Sequence, residues 1–261
     1  MTQALAGHHA FVAGSTRGIG AAMADAIEVA GATMIRHGLP GSENGGEDSR
    51  RLLIDLSDNL PDSVRGLAAQ VFLLQPETDL LVCNAGVCLD VPFLEMEFEV
   101  FQRTMDINVA SHFVLVQEFA RHWTARGIPG RVVLTGSING RLSEPVHVAY
   151  DTSKGAVEAL VRSLSVSLAP MGVRVNGVAP GLLRTPLTEP ELRGTAFRRW
   201  MELHTPNGRV PGPEACAGAT VFLLGDAAEH IHGQMLFVDG GMSVWQQPDV
   251  PDGWIPEQAG R

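Results

Sequence analysis

HAFVAGSTRGIGAAMADAIEVA, residues 9–30, decides the fold. His9–Ala13 is a short apolar run, Gly14–Gly20 carries three glycines within seven residues, and Ala21–Ala30 is Ala-rich and helix-prone. Strand, glycine turn and helix in that order make the first unit of a parallel α/β sheet. Glycines allow a tight turn and close backbone approach. The helix start leaves N–H groups free for a pyrophosphate. Working outward, further strands are predicted at 32–37, 51–56, 79–86, 131–136, 173–178 and 234–239, with helical stretches at 61–74, 97–125 and 150–169. This alternation predicts one domain spanning 1–261, an α/β doubly wound parallel sheet of Rossmann-like form with helices on both faces. The polar, Gly-rich run 38–49 leaves little room for a helix after the second strand.

Length and charge narrow the function. At 261 residues the chain can bury a substantial core. A net charge of −10 argues against nucleic acid and anionic membrane as partners. No apolar run reaches spanning length, and MTQALAGHH lacks a signal-peptide pattern, so the expected compartment is the cytoplasm. Cys83, Cys88 and Cys216 show no C-x-x-C spacing and read as buried free thiols. His230 and His232 have no further ligands clustered nearby in sequence, so no metal is expected.

The chemistry concentrates in GSINGRLSEPVHVAYDTSK, residues 136–154. Tyr150 is the only tyrosine of the chain and Lys154 the only lysine. Four residues apart on a helix, they share one face. A free phenol titrates near pH ~10, so a base near neutrality needs about 4 kcal/mol of help. A unit charge at about 4 Å supplies about that much at an effective dielectric near 20. An ammonium does this as a compact point charge, which a planar guanidinium does not replace. Ser137 follows the run Val132–Thr135, just past a strand's carboxyl end, where open α/β sheets place ligands. A hydroxyl there can donate to a substrate oxygen.

Ser137, then Tyr150-Asp-Thr-Ser-Lys154, resembles the active site of the short-chain dehydrogenase/reductase family, which transfers hydride between a nicotinamide cofactor and a carbonyl or alcohol. The resemblance runs from about Ala10 to Gly241. Its G-x-x-x-G-x-G turn is the family's form, with Ala13 where a Thr is usual. It implies that Gly14, Ser15, Arg17, Gly18, Ile19 and Gly20 hold the pyrophosphate, and that Asp55 and Leu56 meet the adenine. Asn84-Ala85-Gly86 resembles the N-A-G of the family's fourth strand, with Cys83 replacing the first Asn. Asn108 matches the fourth catalytic residue, at a local helix break where it holds a water that links the lysine to solvent. Pro180, Gly181, Leu183 and Thr185 match P-G-x-x-x-T and imply contacts with the nicotinamide. The resemblance also implies that Tyr150 and Lys154 bind the nicotinamide ribose side.

The second strand ends at Gly38, where NAD-preferring members carry an acid. Arg17, Arg36 and His37 stand nearby instead, and a 2′-phosphate needs cationic donors. NADP(H) is therefore the expected cofactor, with NAD the alternative. Asn139, Glu144, His147 and Leu182, with Ser137 and Tyr150, are the candidate substrate contacts, beneath a lid at 186–211. Their polarity suits a sugar or polyol. A 3-oxoacyl thioester, a steroid or another ketone follows, and a non-catalytic NADPH-binding sensor or scaffold is the rival of a different class. A homo-oligomer, tetramer or dimer, is expected through helix 150–169. The Pro-rich tail 243–261, with Trp245 and Trp254, is expected to fray or pack on a neighbouring subunit.

Overall fold

The computed structural model describes residues 3–42, 50–186 and 188–245. Seven strands carry the sheet: β1 His9–Ala13, β2 Thr33–Gly38, β3 Arg51–Leu53, β4 Leu80–Cys83, β5 Arg131–Thr135, β6 Arg174–Pro180 and β7 Met235–Val238. All pairings are parallel, in the order β3-β2-β1-β4-β5-β6-β7. The helices are α1 Gly18–Val29, α2 Asp62–Leu74, α3 Phe98–Met105, α4 Ser111–Arg126, α5 Val148–Leu168, α6 Glu189–Leu192, α7 Thr195–His204 and α8 Ala217–Leu224.

Strand periodicity sends neighbouring residues to opposite faces. Phe11, Ala13, Leu81, Val132 and Leu134 pack toward α2, α4 and α5. Ala10, Val12, Leu80, Val82 and Val133 pack toward α1 and α8. Both faces are covered, so the strands read as unbroken apolar runs rather than as alternating ones. β1 is flanked by β2 and β4, with Phe11 opposite both Ile35 and Leu81. The chain builds outward in one direction from β1 to β3 and in the other from β4 to β7. The crevice therefore opens at the carboxyl ends of β1 and β4, where strand order reverses.

Several expectations change in detail. The helical stretch 97–125 is two helices, α3 and α4, joined by a π turn at Asp106–Ala110 that contains Asn108. α4 stops at Gly127, whose φ of 65° supplies the left-handed cap. β3 ends at Leu53, three residues early, although the Ile54 N–H still donates to Gly38 O. Among the described residues no helix separates β2 from β3; residues 43–49 lie outside them. The expected lid region contains α6 and α7. Of the tail, residues 246–261 lie outside the described residues. No helix among the described residues is long and apolar enough to cross a membrane.

Candidate active site

The turn after β1 and the turn after β4 touch. Gly14 sits at φ 73°, and a β-carbon there would come within 2.6 Å of Ala85 Cα. Asn84 Nδ2 donates to Gly14 O at 2.9 Å and ties the two turns together. Ser15, expected at the pyrophosphate, instead braces the turn from inside. Its hydroxyl donates to Val12 O at 2.8 Å and accepts from the His37 N–H, while its own N–H goes to His37 O. Gly20 packs against Gly14 O, where no β-carbon fits.

A cavity of about 340 Å³ opens over these turns. It gathers Gly14, Arg17, Gly18, Ile19, His37, Asp55, Leu56, Asn84, Ala85 and Gly86 at one end. Ser137, Tyr150, Lys154, Pro180, Gly181, Leu183 and Thr185 line it as well. Thr16, Arg103 and Thr188 also line it, which the sequence did not single out, and so does Cys88, expected only as a buried thiol. Arg103 arrives on α3, remote in sequence from both turns, so only tertiary packing reveals it. Thr188 donates to Leu183 O at 2.5 Å and so shapes the turn after β6. The glycines leave an open, backbone-lined cradle of the kind a pyrophosphate needs.

Lys154 is buried on α5, and its Nζ donates to Thr135 O at 3.0 Å. The ammonium stands 5.5 Å from the centre of the Tyr150 ring. Burial lowers the pKa of Lys154 to about 8. Burial also pushes the Tyr150 phenol above its usual value, while a hydrogen bond with Ser137 pulls it back. The spacing of Tyr150 and Lys154 predicts an ammonium that depresses the phenol. Desolvation is the largest influence on the phenol, because burial disfavours the charged phenolate. The phenol is protonated near neutrality and is ready to donate.

Asn108 uses its side chain as a clamp. Nδ2 donates to Val87 O and to Ser153 Oγ, both at 2.9 Å, and Oδ1 accepts the Val87 N–H at 2.8 Å. A β-carbon on Gly86 would lie 3.2 Å from Asn108 Oδ1 and 3.8 Å from Lys154 Nζ, so both groups border the same small space. Beneath the β4 turn lies His112, which the sequence did not flag. It is 1% exposed, and its Nε2 is 2.9 Å from Ala85 O, while Nδ1 has no hydrogen-bond partner among the described residues. Burial, followed by the charge of Lys154, lowers its pKa to about 3.

The nucleotide end corrects two expectations. Arg36 faces α1, where its guanidinium binds Asp25 at 2.7 Å and Glu28 at 2.9 Å, and it does not line the cavity. His37 lines the cavity but is neutral. Burial lowers its pKa, its Nδ1 accepts the Gly14 N–H, and its Nε2 meets Ile54 O at 2.9 Å. Strand alternation explains the pair, since neighbours on β2 face opposite sides. Asp55 lines the cavity, and its hydrogen bonds with Ser57 hold its pKa below the usual range.

Four of the substrate candidates lie off the cavity lining. Asn139 is buried and donates to Glu144 and Asp151. Its N–H donates to Ser137 Oγ at 3.1 Å, which positions that hydroxyl. His147 lies between Asp90 and Glu144, 6.0 Å from the Tyr150 ring in an edge contact. None of Asn139, Glu144, His147 or Leu182 lines the cavity. Cys83 and Cys216 are buried free thiols as expected, but Cys88 is only half-buried and its pKa is pushed up to about 12 by burial.

A dinucleotide-sized crevice that leads to an acid–base hydroxyl beside a buried amine suits hydride transfer to or from a nicotinamide, and so defines a class: the dinucleotide-dependent oxidoreductases of the doubly wound fold. Within that class, a family model described as enoyl-(acyl carrier protein) reductase, one of those for the short-chain dehydrogenases/reductases, matches residues 13–243. The chain belongs to the short-chain dehydrogenase/reductase family and is an NAD(P)-dependent oxidoreductase. It is 33% identical to an L-rhamnose 1-dehydrogenase (NAD(P)(+)) of a Sphingomonas species, over 73% of this chain and 74% of that one. It is 32% identical to a gluconate 5-dehydrogenase of Gluconobacter oxydans, covering 92% and 96%. It superposes with a TM-score of 0.83 and 28% identity on a gluconate 5-dehydrogenase from Burkholderia cenocepacia in complex with NADP and tartrate, covering 93% and 98%.

Proposed function

We propose that this enzyme transfers hydride between NADP(H) and a carbonyl or secondary alcohol of a sugar, sugar acid or polyol, with Tyr150 as the acid–base group. The observation that carries this reading is that Ser137, Tyr150 and the buried Lys154 line the same cavity as the glycine turn. The cofactor supplies or accepts the hydride. Ser137, braced by Asn139, donates to the substrate oxygen. Tyr150 passes the proton, Lys154 lies beneath, and Asn108 holds a relay water in the space it shares with Lys154 beside Gly86. The names of the relatives support the sugar class.

NADP(H) preference rests on what surrounds Gly38. A β-carbon there would meet Thr16 Cγ2 at 2.2 Å and Ser42 Oγ at 2.8 Å, so no carboxylate fits, and Arg17 lines the same cavity. NAD stays the second reading because Arg36 is engaged elsewhere and His37 is neutral. Arg17→Ala is expected to raise KM for NADPH about tenfold and to leave KM for NADH unchanged. Arg36→Ala is expected to leave the ratio of the two as it is. A strong NADH preference in the parent enzyme sinks the assignment.

Tyr150→Phe tests the chemistry. Turnover on a panel of aldoses, aldonates and polyols is expected to fall about 10³-fold, with NADPH binding kept, read by nucleotide fluorescence. Near-normal turnover in that variant refutes the role. Activity confined to 3-oxoacyl thioesters or simple ketones moves the substrate class, and binding without any turnover makes the protein a sensor. Because the phenol is protonated near neutrality, alcohol oxidation is expected to rise with pH above neutral while carbonyl reduction proceeds at neutral pH. A homo-oligomer is also inferred, since Phe113 on α4 and Val166 on α5 are exposed; light scattering reports its size.

A further inference from the structure

Cys88 and Asp90 lie in the loop after β4, and His147 immediately precedes α5. The sequence gives no hint that they meet, yet one ligand atom from each lies within 4.8 Å of the other two. His147 Nε2 is 2.9 Å from Asp90 Oδ1, and Cys88 Sγ is 3.9 Å from the same oxygen. A four-coordinate ion with bonds of about 2.0–2.3 Å sets its ligands about 3.5 Å apart, so these separations need only small side-chain adjustments. Behind the ring, Glu144 Oε1 stands 3.3 Å from His147 Nδ1. A ligating imidazole characteristically gives its second N–H to a carboxylate; Nδ1 is buried without a hydrogen bond among the described residues, and Glu144 is the carboxylate near enough to take its proton.

Charge points the same way. Asp90, Glu144 and Asp151 gather here, and among the described residues His147 is the only basic side chain within ion-pair distance of any of them. Asp151 is held by the Asn139 amide and the Glu144 N–H instead. Among the described residues these three carboxylates have no ion pair with an arginine or a lysine.

We propose that Cys88, Asp90 and His147 bind one divalent transition ion, with Glu144 orienting the imidazole. Sulfur, nitrogen and carboxylate oxygen together select Zn²⁺ over Mg²⁺ or Ca²⁺, which take oxygen alone. Coordination breaks the Cys88 S–H bond, forms the metal–sulfur bond and releases that proton to solvent, with no change of oxidation state. Cys88 lines the cavity together with Tyr150, so a bound ion borders the catalytic groups.

The test uses the full chain, freed of metal with a chelator and without nucleotide. Co²⁺ is added and read by its thiolate charge-transfer absorption and by proton release in weak buffer. The expected result is one ion and one proton per chain, with Zn²⁺ displacing the cobalt. Cys88→Ser is expected to remove the charge-transfer band, and Glu144→Gln to weaken binding about tenfold. Circular dichroism checks folding; should Cys88→Ser not fold, loss of binding in Asp90→Asn decides. Cobalt that binds without the thiolate band overturns the proposal. So does a band that persists in Cys88→Ser, or binding that survives these changes and disappears in His232→Gln.

Discussion

His112 shows what one buried residue sets. Its ring is neutral because burial holds its pKa near 3, against an ordinary value of 6.5. The unfolded chain therefore takes up a proton in that interval while the folded chain does not. Stability from this source is complete above pH 6.5 and drains away as the pH falls toward 3. Urea unfolding from pH 7 to 4 is expected to show it, and His112→Gln to flatten the slope by about one proton. An unchanged slope assigns acid sensitivity elsewhere. Arg36 and His37 teach the complementary point. Both were legible as basic residues beside Gly38, but charge on the page is not charge in the cleft. One guanidinium is held by Asp25 and Glu28, and the neighbouring imidazole loses its proton to burial.

At the scale of elements, Asn108 links three. From the π turn it pairs both backbone groups of Val87 in the β4 loop and reaches Ser153 on α5. Asn108→Ala leaves the Val87 N–H and carbonyl without these partners, each worth about 1–3 kcal/mol when buried. Chemical denaturation is expected to show a loss of that order, together with a fall in turnover. A loss of turnover at full stability favours the relay role over the clamp. The helix break itself was anticipated by resemblance alone, because nothing in the apolar pattern of 97–125 distinguishes a π turn from continuous helix. The strand–glycine–helix unit was plainer, since Gly14 must adopt a positive φ and meet Ala85 without a side chain.

Across the whole molecule, the cavity joins residues from both directions of the sheet and from segments as far apart in sequence as Gly14 and Thr188. A ligand that bridges them stabilises the fold as a unit. NADPH at about 100 times its Kd is expected to add about 2.7 kcal/mol, seen as a rise in Tm that NADH at equal concentration does not match. Equal shifts from both nucleotides remove the preference for the 2′-phosphate. The sequence by itself determined the doubly wound sheet, the glycine turn and the Ser137–Tyr150–Lys154 set, because these rest on backbone conformation and short-range periodicity, which a few adjacent residues encode. Only the tertiary structure decided that Arg36 turns away, that Tyr150 keeps its proton, and that Cys88 meets His147. Desolvation and pairing depend on which distant segments come to lie against one another, and no local pattern records that.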